Sequence, residues 1–141
     1  MIAYEQPSAA DLDVIHGFLT ETYWSPGVPR EIVERACANS ICVTARDEQG
    51  ALVGFARAVS DRATFAWVAD VMVLEAHRGK GLGRALVAAL QAHPELQNLR
   101  RWMLGTRDAH GVYAPLGFAP LGIPERYMEI RAWTPYGKKA G

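Results

Sequence analysis

A mixed α/β (α+β) sandwich, one sheet with helices on its faces, is the fold class this sequence predicts. Three observations carry that prediction. Apolar residues recur every second position in some segments and every third or fourth in others. Those segments follow one another as β-α-α-β-β-β-α-β-α-β-β, about seven strands and about four helices. The most apolar run, residues 65–74, is too short to span a membrane and suits a buried central strand.

Each element has its own signal. Residues 1–4 read as a short strand. Ser8 and Asp11 have the spacing of a capping box, with Asp in the usual Glu position. Leu12, Ile15, Phe18 and Leu19 follow at helical spacing, so a helix covers about 9–22. Trp24-Ser25-Pro26-Gly27 is a loop. Pro29 opens a second helix that carries Ile32, Val33 and Ala36 and ends at Asn39 and Ser40. Residues 41–45 and 52–59 are strands around the turn Asp47-Glu48-Gln49-Gly50. Asp61 and Arg62 turn the chain into the central strand. After a loop at 75–80, Leu82, Ala85, Leu86, Ala89 and Leu90 trace one apolar face of a helix over about 82–92, which His93-Pro94 stops. A strand over 101–105 follows, then a short helix capped by Thr106 or Asp108 and ending at Tyr113-Ala114. Strands over 118–121 and 127–133 complete the order.

Composition narrows the function classes. The chain has 141 residues, 15 basic and 15 acidic side chains, a formal charge of zero and 50% hydrophobic residues. That fits one domain over 1–141, with a frayed tail at about 135–141. Neutrality argues against nucleic-acid or membrane-surface binding, since both favour a basic surface. The two cysteines, Cys37 and Cys42, exclude a disulfide-dense scaffold and read as buried small apolar residues. No His/Cys spacing matches zinc ligation, so no metal is expected. The start lacks the basic-then-apolar pattern of a secretory leader, so the expected location is cytoplasmic. The zero total also hides an asymmetry: 11 acids and 5 bases up to residue 75, then 4 acids and 10 bases. The basic half is where an anion site is expected.

That half opens on His77-Arg78-Gly79-Lys80-Gly81-Leu82-Gly83-Arg84. A buried strand leads through this loop into a helix whose first residues are glycine-rich and basic. Unpaired N–H groups at a helix start bind phosphates, and glycine lets the backbone come close. Arg78, Lys80 and Arg84 add charge, so a pyrophosphate is the natural ligand. A glycine at a helix start costs of order 1 kcal/mol in propensity, which argues for a backbone-contact role. A Walker A loop fails here, because Gly81 follows Lys80 and Leu74 stands where the first glycine belongs. A dinucleotide fingerprint fails too, because Arg84 takes the place of its third glycine and the loop lies mid-chain.

What remains, Arg78-x-x-Gly81-x-Gly83, resembles the [RQ]-x-x-G-x-[GA] signature of the GNAT superfamily, the Gcn5-related N-acetyltransferases. About 30 residues downstream, Ala109-His110-Gly111-Val112-Tyr113-Ala114-Pro115-Leu116-Gly117-Phe118 resembles the A-x-x-x-Y-x-x-x-G-F element that ends such domains. The resemblance implies the GNAT fold, with acetyl-CoA as co-substrate. The coenzyme would lie where the strand at 65–74 splays from the strand at 101–105. Backbone groups of Val71, Met72 and Val73 would pair with the pantetheine arm. The N–H groups of Arg78, Gly79, Lys80, Gly81, Leu82, Gly83 and Arg84 would hold the pyrophosphate. Many relatives have Asn near the start of the segment 101–109. Here that place reads Thr106-Arg107-Asp108, so either Thr106, with Asp108 beside it, replaces the contact or the contact is lost.

The implied reaction is direct attack of an amine on the thioester in a ternary complex, with a strand N–H near Val73 as oxyanion donor. Tyr113 stands at the family's position for the acid that protonates the leaving thiolate. The amine must be neutral to attack. Asp70 is the first candidate base, because an acid in so apolar a strand is costly unless paired with an arginine or used. His110 is the second, three residues before Tyr113 on the same helix face. Asp61 and Asp108 are weaker options. Tyr23 and Trp24 lie in the loop where relatives shape the acceptor pocket, and suit stacking on an aromatic or cationic acceptor. An acetyl-enzyme on Cys37 or Cys42 is disfavoured, since neither lies near the coenzyme motifs.

The expected activity is N-acetylation of a small-molecule primary amine. The rivals are a protein N-terminus or lysine as acceptor, an O-acceptor, another acyl-CoA, nucleotide binding by the glycine loop, and a CoA-binding regulatory module without turnover. The expected assembly is a monomer or homodimer. The charge split suggests a basic coenzyme side and an acidic acceptor side that includes Glu21, Glu31 and Glu34.

Overall fold

The computed structural model describes residues 1–141. In chain order it contains β1 (Ile2–Tyr4), α1 (Ala9–Leu19), α2 (Arg30–Ala38), β2 (Ile41–Arg46), β3 (Leu52–Ser60), β4 (Phe65–Val73), α3 (Leu82–Gln91), β5 (Arg101–Met103) and the one-turn α4 (His110–Tyr113). The strands form one sheet in the order β1-β2-β3-β4-β5. All neighbours are antiparallel except β4 and β5, which are parallel.

The helices start where the sequence puts them. The Ser8 hydroxyl accepts from the Asp11 N–H at 3.1 Å, and the Asp11 carboxylate accepts from the Ser8 N–H at 2.9 Å. Pro29 immediately precedes α2. Arg46 then ties the start of the fold together. Its guanidinium reaches Glu5 at 2.9 Å and Asp11 at 2.7 Å, joining the end of β2 to the entry of α1. This arginine holds the Asp11 carboxyl down at about 2.

Strand alternation sends side chains to two cores. On one face, Ile41, Val43, Ala45, Ala56, Ala58 and Val68 pack against Leu86, Val87 and Leu90 of α3. On the other, Cys42, Phe55 and Met72 pack against Ile15 and Leu19 of α1 and Val33 and Cys37 of α2. Gly54 sets how closely α3 approaches the sheet. A Cβ there would lie 3.1 Å from Leu86 and 3.3 Å from Leu82. Its absence lets the first turns of α3 settle on β3, which fixes where the glycine loop stands.

Two expectations are corrected. The sheet has five strands, not about seven, because residues 118–121 and 127–133 are unpaired. Their alternation is a local preference, and a strand also needs a partner edge. The tail at 135–141 is not frayed. Ala140 is buried, its N–H donates to the Trp133 carbonyl at 2.8 Å, and the Gly141 N–H donates to the Tyr23 carbonyl at 2.8 Å. Tyr136 packs against the α1/α2 core. No helix is long and apolar enough to cross a membrane.

Candidate active site

Two features of β4 create an opening. Its pairing with β5 is limited to Phe65 with Arg101, Ala66 with Trp102 and Trp67 with Met103. Beyond Trp67 the β5-facing edge of β4 has no strand partner. The strand is also bulged. Arg57 pairs with Ala69 but Phe55 pairs with Met72, one residue more on β4 than on β3. Asp70 falls in the bulge with φ +53, a left-handed conformation that Asp tolerates better than a branched residue. A bulge bends its strand and sharpens the twist, and this one sits just past the last β4–β5 pair.

The glycine loop stands at the mouth of that opening. Gly79 and Gly81 have φ +80 and +75, and Gly81 is the N-cap of α3 with no side-chain cap. A Cβ at either position would meet nothing within 4 Å, so the loop backbone is open on its outer side. The first α3 N–H with a backbone partner is that of Ala85, bonded to the Gly81 carbonyl. The N–H groups of Leu82, Gly83 and Arg84 are therefore available to an anion. Arg78, Lys80 and Arg84 are exposed around them. Arg78 also spans the opening. Its Nε donates to the Val73 carbonyl at 3.1 Å and its guanidinium lies 6.0 Å over the Phe18 ring. Of the three β4 residues expected to contact a coenzyme, Val71 and Val73 are partly exposed, whereas Met72 is a core side chain.

Tyr113 is half-buried, packs edge-on to Phe118 at 6.2 Å and has no hydrogen-bond partner on its hydroxyl. Burial, helped by the nearby Tyr23 phenol, pushes its pKa above the usual phenol value. A group in that state keeps its proton at neutral pH and has it free to give. His110 is exposed on the same short helix, and its imidazole bonds nothing. The Thr106 hydroxyl accepts from the Ala109 N–H at 3.0 Å, so it supports the entry to α4. Asp108 is exposed, 3.6 Å from Arg107.

The Asp70 carboxylate is fully engaged. Arg57 Nε donates to one oxygen at 2.8 Å and the Trp24 indole donates to the other at 2.9 Å. Arg57 and Asp70 side chains are 16% and 13% exposed, so this is a largely desolvated ion pair. Asp61 is a turn-former. Its carboxylate accepts the N–H groups of Ala63, Thr64 and Phe65, which with the Thr64 hydroxyl hold its pKa well below the carboxylate range.

The loop after α1 and the loop after β5 meet. The Arg107 guanidinium stacks on Tyr23 at 4.0 Å, and the Arg107 N–H donates to the Tyr23 hydroxyl at 2.9 Å. Trp24 packs edge-on to Tyr23 at 5.0 Å. Between these groups and the glycine loop lies a groove of about 640 Å³, lined by Phe18, Glu21, Tyr23, Trp24, Arg78 and Arg107 among others. The groove carries both signs of charge, and Glu34 is consumed by Arg30 at 3.0 Å. The expected acidic acceptor side is therefore corrected to a mixed one. Cys37 of α2 and Cys42 of β2 are buried together in the core between helix and sheet. No group of three or more His, Cys, Asp or Glu side chains converges as a metal site.

The glycine loop, Tyr113 and the aromatic pair are named from the sequence, whereas Arg57, Arg107 and Gly54 are not. Arg57 had a signal. It is the lone charge in an apolar strand, as Asp70 is in the next, and opposite lone charges on adjacent strands invite pairing. Arg107 had none, because its partner Tyr23 is 84 residues away.

Comparisons with known proteins agree with this geometry. The model of the acetyltransferase (GNAT) family matches residues 11–118. A GNAT-family protein from Xanthomonas campestris pv. campestris has a crystal structure that superposes with a TM-score of 0.89, at 41% identity over 98% of both chains. A Gibberella zeae protein that carries an acetyltransferase name is 30% identical over 125 residues, 72% of this chain and 69% of its own. A Mycobacterium tuberculosis protein solved in complex with CoA shares the fold, with a TM-score of 0.67 and 23% identity over 84% of this chain and 71% of that one. The chain belongs to the acetyltransferase (GNAT) family.

Proposed function

We propose that this protein is an acetyl-CoA-dependent N-acetyltransferase whose acceptor is a small-molecule primary amine. The observation that carries the reading is an unpaired β4 edge beside an uncapped glycine-rich helix start, with Tyr113 packed on the same core as Val71, Val73 and Leu82. The M. tuberculosis fold relative solved with CoA adds support for the coenzyme.

The residues fit the group. The bare backbone at Gly79 and Gly81, with the N–H groups of Leu82, Gly83 and Arg84, receives the pyrophosphate, and Arg78, Lys80 and Arg84 balance its charge. The open edge at Val71 and Val73 offers backbone groups to an extended amide chain, as an unpaired strand edge does. Bound acetyl-CoA supplies the acetyl group as a thioester that an amine attacks directly. The Val73 N–H stabilises the developing oxyanion. Tyr113 donates its proton to the sulfur of the leaving thiolate. A thiol of pKa about 8.5 competes well for a proton from a phenol only when the two are held together, and the packing of Tyr113 on Phe118 holds it.

Asp70 acts by position in this reading. Both its oxygens are taken, and it anchors Trp24 and so the acceptor loop. The amine loses its proton to water in the open groove, with His110 as the nearest exposed base on α4. The aromatic faces of Tyr23 and Trp24 orient the acceptor. The groove's volume of about 640 Å³ lies in the range of small-molecule sites, which favours a small molecule over a folded protein. The test is a thiol-release screen with acetyl-CoA across polyamines, amino acids, aminoglycosides and peptide N-termini. Release with a small amine supports the reading, and release with peptides alone overturns the choice of acceptor.

A further inference from the structure

The segment from Phe118 to Trp133 is unlike the rest of the chain. Its sixteen residues take part in three backbone hydrogen bonds: Arg126 to Ile123, Tyr127 to Pro124, and Ala140 to Trp133. Folded chains average about one internal hydrogen bond per residue, two-thirds of them backbone–backbone. Residues 128–132 make none. Of the large hydrophobic side chains exposed anywhere in the molecule, Leu121, Ile123, Tyr127, Met128, Ile130 and Trp133 lie in this one stretch, and Met128 and Ile130 are 99% and 105% exposed. Contiguous exposed apolar surface of this kind marks an interaction site.

The segment is held in this position at both ends. Arg101 lies 5.0 Å over the Tyr127 ring. Trp133 is bonded through its carbonyl to Ala140, and Arg131 stacks on Trp133 at 4.1 Å. Between these anchors Met128–Ala132 is presented outward, bracketed by Pro124 and Pro135.

We propose that the partner for this segment is the same segment of a second copy, paired antiparallel about a two-fold axis at Ile130. The sequence is self-complementary in that register. Glu129 of each copy faces Arg131 of the other, twice. Tyr127 faces Trp133, twice. Met128 faces Ala132, and Ile130 faces itself. Opposite charges and aromatic pairs are the cross-strand combinations that stabilise antiparallel strands, and a two-fold interface pairs residue i with j and j with i. Shifting the axis to Glu129 sets that carboxylate against its own copy and Tyr127 against Arg131. Shifting it to Arg131 sets two guanidiniums together and Glu129 against Trp133. Only the axis at Ile130 satisfies every charge. Pairing supplies backbone bonds to every second residue of 128–132 and covers Met128 and Ile130 in the same step.

Light scattering after size exclusion, on the full chain at about 10–100 µM, tests the proposal. The native chain is expected to run at twice its monomer mass. Ile130→Asp puts two carboxylates on the axis and is expected to give monomer. Glu129→Arg and Arg131→Glu each set like charges opposite one another and are expected to give monomer as well. The double variant Glu129→Arg/Arg131→Glu restores the opposite pairs and is expected to recover the dimer, which a merely misfolded single variant would not predict. A native chain that stays monomeric at 100 µM overturns the proposal. So does a dimer that survives Ile130→Asp, or a double variant no more dimeric than the single ones. Circular dichroism of each variant confirms that the fold is intact.

Discussion

The Trp24 indole donates to the Asp70 carboxylate at 2.9 Å, across 46 residues of sequence, and so ties the loop after α1 to the bulge of β4. The same carboxylate holds Arg57 at 2.8 Å. One acid therefore links the loop after α1, the bulged strand and the neighbouring strand. This bond makes the groove a fixed shape rather than a gap under a free loop.

Trp24→Phe keeps one aromatic ring and removes the donor together with the pyrrole half of the indole. It is expected to cost about 1 kcal/mol of stability, a typical net value for one hydrogen bond. The acceptor KM should rise several-fold while the acetyl-CoA affinity stays as it is. Steady-state kinetics with each substrate varied in turn separates the two effects.

Asp70→Asn keeps a side chain that tolerates φ +53 and still accepts from Trp24, but it removes the charge that balances Arg57. A cost of about 3 kcal/mol follows from leaving a largely desolvated guanidinium without its counter-charge, with only the Ser40 hydroxyl still bonded to it. If Asp70 positions the loop, kcat survives at a temperature where the variant is folded, and the pH profile keeps its shape. Loss of the acidic limb of that profile would instead mark Asp70 as the base.

Gly81→Ala introduces a side chain at φ +75, where an L residue is strained by about 1–2 kcal/mol. No atom lies close enough to clash. Thermal unfolding without ligand should fall by a few degrees. The stabilising shift on adding acetyl-CoA should fall much more, because the new Cβ stands where the pyrophosphate approaches. ATP and NAD, tested beside acetyl-CoA, should give little shift in either protein.

Acid stability should depend on Asp11. Its folded pKa lies at about 2 against an ordinary 3.8, chiefly because Arg46 bonds the ionised form. A depressed carboxylate contributes stability that is present above its unfolded pKa and is lost as pH falls through the folded one. The contribution is about 2 kcal/mol above pH 4 and disappears between about pH 4 and 2. Asp11→Asn should remove it at neutral pH and flatten the stability curve across that window. Denaturant unfolding at a series of pH values measures this.

Much of the fold was legible because its signals are local. Ser8 and Asp11 announce the start of α1, the periodicity of Leu82, Leu86 and Leu90 defines α3, and the run around Val68 defines the central strand. The glycine loop was legible for a related reason. Arg78, Gly81 and Gly83 form the motif through their own backbone and charge, so it can be read from their spacing alone. The bulge at Asp70 was not legible, since it exists only in the register between β3 and β4. The stacking of Arg107 on Tyr23 depends on two loops meeting across the fold. The tail was misread for the same reason. Gly137-Lys138-Lys139 has the composition of a free end, yet the backbone on either side of it is bonded to Trp133 and Tyr23. The unpaired 127–133 segment shows the reverse case, a strand pattern that pairs with no edge of its own sheet.

In the proposed reaction Tyr113 drives acetyl transfer to an amine. Its most direct measurement is CoA-thiol release by the native chain and by Tyr113→Phe, on the acceptor found in the screen, with acetyl-CoA affinity measured in parallel. The account predicts N-acetylated product from the native chain. It predicts a fall in kcat of about 100-fold or more in the variant, with acetyl-CoA affinity unchanged. Full turnover by Tyr113→Phe would contradict it, as would tight acetyl-CoA binding with no thiol released to any amine.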